Sequence, residues 1–203
     1  MNGRLFVEVF VTVFVIMDPP GAVPIFLAVT RRLERHERHR AALLASATAL
    51  AVIAAFGIAG QQILDYLHVT IPAMQGAGGL LLLLVALQLL TGKESEVEEA
   101  DPSERTSIAM VPLGTPLLAG PGAIVAVIVF VSGNTAWSDR AAIALAVALV
   151  VFCVFLALRF SGLLMRVLRP TGVLLVSRIA GILLASIAVQ MIATSVLEFA
   201  EQA

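Results

Sequence analysis

Charge is what this sequence has least of. Only 13% of its 203 residues are Asp, Glu, Lys or Arg, against 60% hydrophobic, whereas a soluble domain of this length carries about 25% charge. The deficit is too large to come from one unusual helix, and it points to lipid rather than water as the main solvent. A basic surplus is missing too. With 13 Lys+Arg against 14 Asp+Glu, there is no excess of cations to displace phosphate counterions, so no nucleic-acid partner is expected. Cysteine is nearly absent, and the single Cys153, in a run of Val and Phe, allows neither an internal disulfide nor a thiolate cluster. His36, His39 and His68 stand at no metal-ligand spacing, so no metal and no bound cofactor are expected. Sequences of the HExxH, GxGD and GxSxG type are missing, and a membrane-embedded enzyme is not expected.

What the chain does have is long apolar runs. A bilayer core about 30 Å thick needs roughly 20 apolar residues per helix. Six runs qualify: Leu5 to Val29, Ala41 to Leu64, Ile71 to Leu90, Ile108 to Val131, Ala141 to Leu158 and Ile179 to Leu197. They leave no soluble segment long enough for a nucleotide-binding domain. Of the 27 charged residues only Glu8 and Asp18 fall inside them. The first run resembles a signal peptide at its start, but Glu8 interrupts it and no small-residue cleavage site closes it, so it is read as a retained helix.

Orientation follows from the arginines. Eleven Lys/Arg fall in the loops after spans one, three and five, against two, Arg4 and Arg140, on the other side. The richer side is expected to face the cytoplasm and both termini to face outside. The acidic run Glu94 to Glu104 after span three is read as a solvated loop. The stretch Phe160 to Leu168 is expected to prolong span five as an amphipathic helix as far as a break at Pro170-Thr171-Gly172. Arg159 and Arg178 then lie near the membrane surface, where they either snorkel to it or, at Arg178, meet a substrate carboxylate.

The chain also repeats itself. Pro20-Gly21-Ala22-Val23 returns as Pro121-Gly122-Ala123-Ile124, Arg40-Ala41-Ala42 as Arg140-Ala141-Ala142, and Gly79 with Ala86-Leu87-Gln88 as Gly181 with Ala188-Val189-Gln190, all about half a chain apart. One transmembrane domain, residues 1–203, is therefore read as repeat one, about 1–100, and repeat two, about 101–203. Three spans per repeat is an odd number, so the second repeat enters the membrane from the opposite side. The fold class is an all-α membrane protein of six transmembrane helices in two inverted three-helix repeats.

The repeated element is a helix breaker. Span one runs Met17-Asp18-Pro19-Pro20-Gly21-Ala22 and span four Thr115-Pro116 to Gly120-Pro121-Gly122-Ala123. Proline has no amide donor and pushes the residue before it out of helical geometry, so helices one and four are expected to be broken in mid-membrane. Backbone groups freed there cost several kcal/mol each unless they meet protein or a wet cavity. Two symmetric breaks therefore predict a shared polar substrate site made by Asp18, Pro19, Pro20, Gly21 and Ala22 with Thr115, Gly120, Pro121, Gly122 and Ala123. Restarted half-helices suit a carboxylate; Asp18 and unwound carbonyls suit an ammonium group, a sodium ion or a proton. Asp18 is either that functional carboxylate or an N-cap that only seats the second half-helix. Glu8 is expected at the solvated membrane edge. Gln88 and Gln190, at matching repeat positions, are expected to bond a neighbouring helix or line the pathway. Gly76, Gly78, Gly79 and Gly181 are expected to permit close helix packing.

Asp18 to Phe26, Pro116 to Gly122 and Ala188-Val189-Gln190 resemble the MarC family of bacterial and archaeal inner-membrane proteins along essentially the whole chain. Pro20 and Ala22 stand where that family's motif more often carries Ile and Asn. The resemblance implies a six-helix protein related to LysE-type exporters, with a neutral amino acid transporter among its members. The expected function is secondary transport of small neutral amino acids or similar zwitterions by alternating access, with proton or sodium coupling possible in such a site. A drug or metabolite exporter or a channel of the same architecture is the competing expectation.

Overall fold

The computed structural model describes residues 2–30, 33–91 and 119–202. Within them the chain is helical: α1 Gly3–Met17, α2 Pro19–Val29, α3 Arg35–Leu67, α4 Ile71–Thr91, α5 Pro121–Gly133, α6 Trp137–Arg159 and α7 Ser161–Gln202. Five stretches are long and apolar enough to cross a membrane: Gly3–Leu27 across its break, Arg35–Leu67, Ile71–Thr91, Trp137–Arg159 and Thr171–Glu201. α5 has 13 residues and rises about 20 Å, too short to cross alone. The first half of span four lies outside the described residues, as do the acidic run and Thr115.

Several boundaries differ from those read in the sequence: α6 already starts at Trp137 and the last span at Thr171, so that Arg178 lies on helix rather than in a loop. α3 starts at Arg35, not Ala41, because Glu34 and Glu37 form a reciprocal capping box with Glu34 N–H donating to Glu37 Oε2 at 3.0 Å. Arg35, Arg38 and Arg40 thus ride on helix rather than on loop. α6 does not continue through Phe160, whose backbone (φ −104°, ψ 22°) ends it; the N–H groups of Leu163 and Leu164 both bond to the Phe160 carbonyl and start α7. The break expected at Pro170 is present one residue earlier, at Arg169 (φ 57°, ψ 166°), since the residue before a proline is driven from helical geometry.

The surface is that of a protein without an aqueous shell. Ile58, Leu80, Leu84, Ile182 and Val189 are each more than half exposed along the helix flanks, an apolar exposure no soluble monomer carries. The chain's one Trp and one Tyr, Trp137 and Tyr66, are both 84% exposed and lie at the same end of the bundle, at the start of α6 and the finish of α3. Amphipathic rings gather at membrane interfaces in this way.

The most extensive helix pairing is the antiparallel one of α4 with α7. A Cβ on Gly79 of α4 would stand 2.9 Å from the Ala188 carbonyl of α7, and one on Gly181 of α7 would stand 3.2 Å from the Ala86 carbonyl of α4. Glycine at both crossings lets the backbones approach to a distance a side chain would forbid, as expected for these residues. Nearby, Ser195 Oγ donates to the Pro72 carbonyl at 2.7 Å across the same interface. Ser195→Ala is expected to cost only about 0.6 kcal/mol, the usual worth of one interhelical bond in a membrane, measured as a small fall in the thermal midpoint in detergent.

The larger core lies among the other helices, and the outer flanks of α4 and α7 stay exposed. Leu5, Val9, Val13, Met17, Ala22, Phe26 and the buried faces of α3, α5 and α6 make one apolar cluster; Val15 with buried residues of α4 and α7 makes a second. Exchanging α1–α2 with α5, α3 with α6 and α4 with α7 maps the main packing pairs onto each other. α1 against α6 corresponds to α5 against α3, and α5 against α4 corresponds to α2 against α7, while α3–α6, α4–α7 and α1–α5 map onto themselves. The lighter contacts of α6 with α5 and with α7 have no equally extensive counterparts.

Candidate functional site: a buried carboxylate where two helices break

α1 stops at Met17 and α2 begins at Pro19, with Asp18 between them in the left-handed region (φ 35°, ψ 69°). The cause is local. In a continuous helix the carbonyls of Val15 and Ile16 would accept from residues 19 and 20, but both are proline and have no N–H. Asp18 tolerates the positive φ better than most residues, and its own backbone stays tied, donating to Phe14 O at 3.1 Å and accepting from Ala22 N at 3.0 Å. The side chain is the anomaly. Asp18 is only 7% exposed, it makes no capping hydrogen bond to α2, and its Oδ2 has no partner among the described residues. It occupies the N-cap position with the Gly21 N–H and the Ser177 hydroxyl beside it, neither at a geometry that completes a hydrogen bond to Oδ2.

A second buried polar group lies beside it: Ser177 of α7 is 6% exposed, and its hydroxyl, next to the Asp18 carboxyl, completes no hydrogen bond among the described residues. Both groups lie over Gly21: the carboxylate of Asp18 occupies the space a Gly21 side chain would need, and Ser177 Oγ is 2.9 Å from the point where its Cβ would stand. Only glycine fits beneath this pair. Sequence reading missed Ser177. The signal that could have found it is the repeat offset of 102 residues, which pairs Ser177 with Gln75, a half-buried side chain whose buried Oε1 has no partner among the described residues.

The start of α5, where the sequence predicts the second break, is adjacent; the chain before residue 119 lies outside the described residues. Gly120 precedes α5 and Pro121 opens it, the Gly120 carbonyl accepting from Ala123 N at 3.0 Å and Ile124 N at 3.3 Å. A Cβ on Gly122 would meet the side chain of Leu82 and lie 3.5 Å from Ile16 Cγ2, two residues before Asp18. Met17, Ala22, Ala119 and Ala123, one pair from each break, lie in the same buried cluster. The break at Asp18 and the start of α5 therefore meet inside the protein, with Pro19, Gly21 and Ala22 buried, Pro20 and Gly120 half-buried, and Pro121 exposed.

Nearer the end that carries Trp137 and Tyr66, a cavity of about 620 Å³ opens among the starts of α1 and α4 and the ends of α5 and α7. Asn2, Arg4, Glu8, Gln75, Asn134 and Glu198 line it, so one cation, two anions and three amides face a single space. Glu8 is exposed at its rim, as expected of a residue at the membrane edge. The other candidates lie away from both places. Gln88 and Gln190 are exposed on the outer faces of α4 and α7, and Gln190 Nε2 donates to Thr194 Oγ1 within its own helix at 3.4 Å. Arg178, next to Ser177 in sequence, is exposed. Among the described residues no three His, Cys, Asp or Glu gather as a metal site.

Apolar flanks on helices long enough to span a bilayer, a glycine-packed antiparallel α4–α7 pair and a helix break at a buried carboxylate define a polytopic helical membrane protein. The sequence profile of the MarC family of integral membrane proteins matches residues 3–200, and the chain belongs to that family. It is 36% identical over 197 residues to a UPF0056 membrane protein of Aquifex aeolicus, covering 94% of this chain and 91% of the relative. Another relative from Methanocaldococcus jannaschii is 34% identical over 202 residues, covering 97% and 98%, and one from Bacillus subtilis 32% over 198, covering 95% and 94%. No solved structure matches the chain.

Proposed function

We propose that this protein is a secondary transporter of small neutral amino acids or similar zwitterions, working by alternating access between two inverted three-helix repeats, with the arginine-rich end in the cytoplasm and both termini outside. The observation that carries the reading is Asp18: a buried carboxylate whose Oδ2 completes no hydrogen bond among the described residues, set at the α1–α2 break and close to the start of α5. A buried carboxylate without a partner is costly, and a substrate ammonium or a coupling cation would satisfy it. Ser177 Oγ and the carbonyls of Val15 and Ile16 supply further acceptors. The restarted N-terminus of α5, opened by Gly120 and Pro121, suits the carboxylate of the same molecule.

The symmetry of the packing supports the inverted repeat. Gly79 on Ala188 and Gly181 on Ala86 are one contact seen twice, since both pairs are related by the offset of 102 residues, and exchange of the halves preserves the main helix pairs. The mixed-charge cavity at the N-terminal end then serves as the outer vestibule. In this state the breaks are closed beneath it, and transport requires the halves to rock apart around them.

Uptake of a panel of labelled amino acids into proteoliposomes, with and without proton and sodium gradients, tests the reading. Saturable uptake of glycine or alanine that responds to one gradient is expected. Uptake of large apolar drugs with none of small zwitterions would replace this reading with the exporter, and linear, unsaturable flux would replace it with a channel.

A further inference from the structure

At the end of the bundle opposite the vestibule lies a second cavity, of about 610 Å³, with a lining of one sign. Arg35, Arg38 and His39 come from the first turns of α3, Arg159 from the last turn of α6, and Ser161 and Arg166 from the start of α7. No carboxylate stands among its described lining residues. The nearest acids on α3 are already engaged, since Glu34 and Glu37 cap that helix through each other. Arg38 Nη2 reaches the Thr30 carbonyl at 3.5 Å, but its Nε and the Nδ1 of His39 are buried without a partner among the described residues. The Arg159 guanidinium lies 6.0 Å from the centroid of the Phe160 ring, which holds it in place.

Arginines that merely snorkel fan outward into the headgroup layer. Here four from three separate segments line one space, and an anion bound in such a space relieves their mutual repulsion. Guanidinium forks match the tetrahedral oxygens of phosphate, and basic pockets between membrane helices take up lipid headgroups. We propose that this cavity binds a phosphate-type oxyanion, presented by an anionic phospholipid headgroup or as free phosphate. The site is independent of the breaks and of what they bind.

Thermal unfolding of the full-length protein in detergent tests it, with phosphatidylglycerol, phosphatidylcholine, or inorganic phosphate against chloride at equal ionic strength as additives. The midpoint is expected to rise with phosphatidylglycerol or phosphate above its matched control. Arg38→Gln/Arg159→Gln should raise the half-saturating concentration roughly 30-fold, as expected for two lost charges near the membrane surface, while Arg140→Gln, exposed and far from the cavity, leaves it unchanged. A rise with phosphatidylglycerol alone assigns a lipid headgroup; a rise with free phosphate assigns the soluble anion. Should the double variant fail to fold by circular dichroism, Arg166→Gln, whose side chain is exposed at the rim, should weaken binding roughly fivefold. No rise above the controls in the wild type, or an undiminished rise in the folded cavity variants, would overturn the proposal.

Discussion

Asp18→Asn is expected to lower uptake of labelled alanine or glycine at least about 100-fold, with insertion and helix content kept. Removing one partner of a buried ion pair costs about 3–5 kcal/mol, and each 1.4 kcal/mol is tenfold. Folding should survive because the carboxylate does not cap α2 and asparagine accepts the left-handed backbone as readily as aspartate. Ser177→Ala, which removes a neutral hydroxyl, should cost about 1 kcal/mol, or roughly a fivefold loss. Initial uptake rates per unit of reconstituted protein check both. A carboxylate that served only the fold would give the reverse pattern, with lost stability and normal rates per folded molecule.

Gly79→Leu is expected to abolish recovery of folded protein, and Gly79→Ala to lower the thermal midpoint by several degrees. A Cβ at this position meets a backbone carbonyl, Ala188 O at 2.9 Å, as well as Ile192, so no side-chain rotation can relieve it. Overpacking of this kind costs about 1–3 kcal/mol even for small additions, which for a chain of this size corresponds to roughly 2–12 °C. Gly181→Ala, with its nearest atoms at 3.1–3.2 Å, should lose less, and Gly3→Ala, with nothing within 4 Å, nothing. Size-exclusion profiles and thermal scans in one detergent rank the series. Equal midpoints for Gly79→Ala and Gly3→Ala would remove the close α4–α7 approach from the account.

The parts of this fold that were legible in the sequence are those set by backbone chemistry. Two successive prolines deny their amides to the Val15 and Ile16 carbonyls whatever surrounds them, so the break at Asp18 could be read directly. The small residues at Gly79 and Gly181 carried the helix crossing in the same way. Features that depend on which side of a helix faces inward were not legible. Ser177 lies just before Ile179, where the sixth apolar run begins, in a stretch that reads as loop, and only its place over Gly21 gives it meaning. Gln88 and Gln190 matched across the repeat but lie on outward faces, because residues only one or two positions apart point around the helix in different directions. The start of α3 was obscured because arginines suggest a loop, while the capping box that makes them helical uses two glutamates that could as well have been solvated. Both cavities are built from helix ends far apart in sequence, so no local pattern announces either.

The central claim, carriage of a small zwitterion by alternating access, is tested most directly by counterflow. Proteoliposomes holding the wild-type protein are loaded with unlabelled alanine and diluted into a trace of labelled alanine with no ion gradient. The account predicts transient accumulation of label above its external concentration, absent from Asp18→Asn vesicles. Label that only equilibrates, at the same rate in wild-type, Asp18→Asn and empty vesicles, would contradict it.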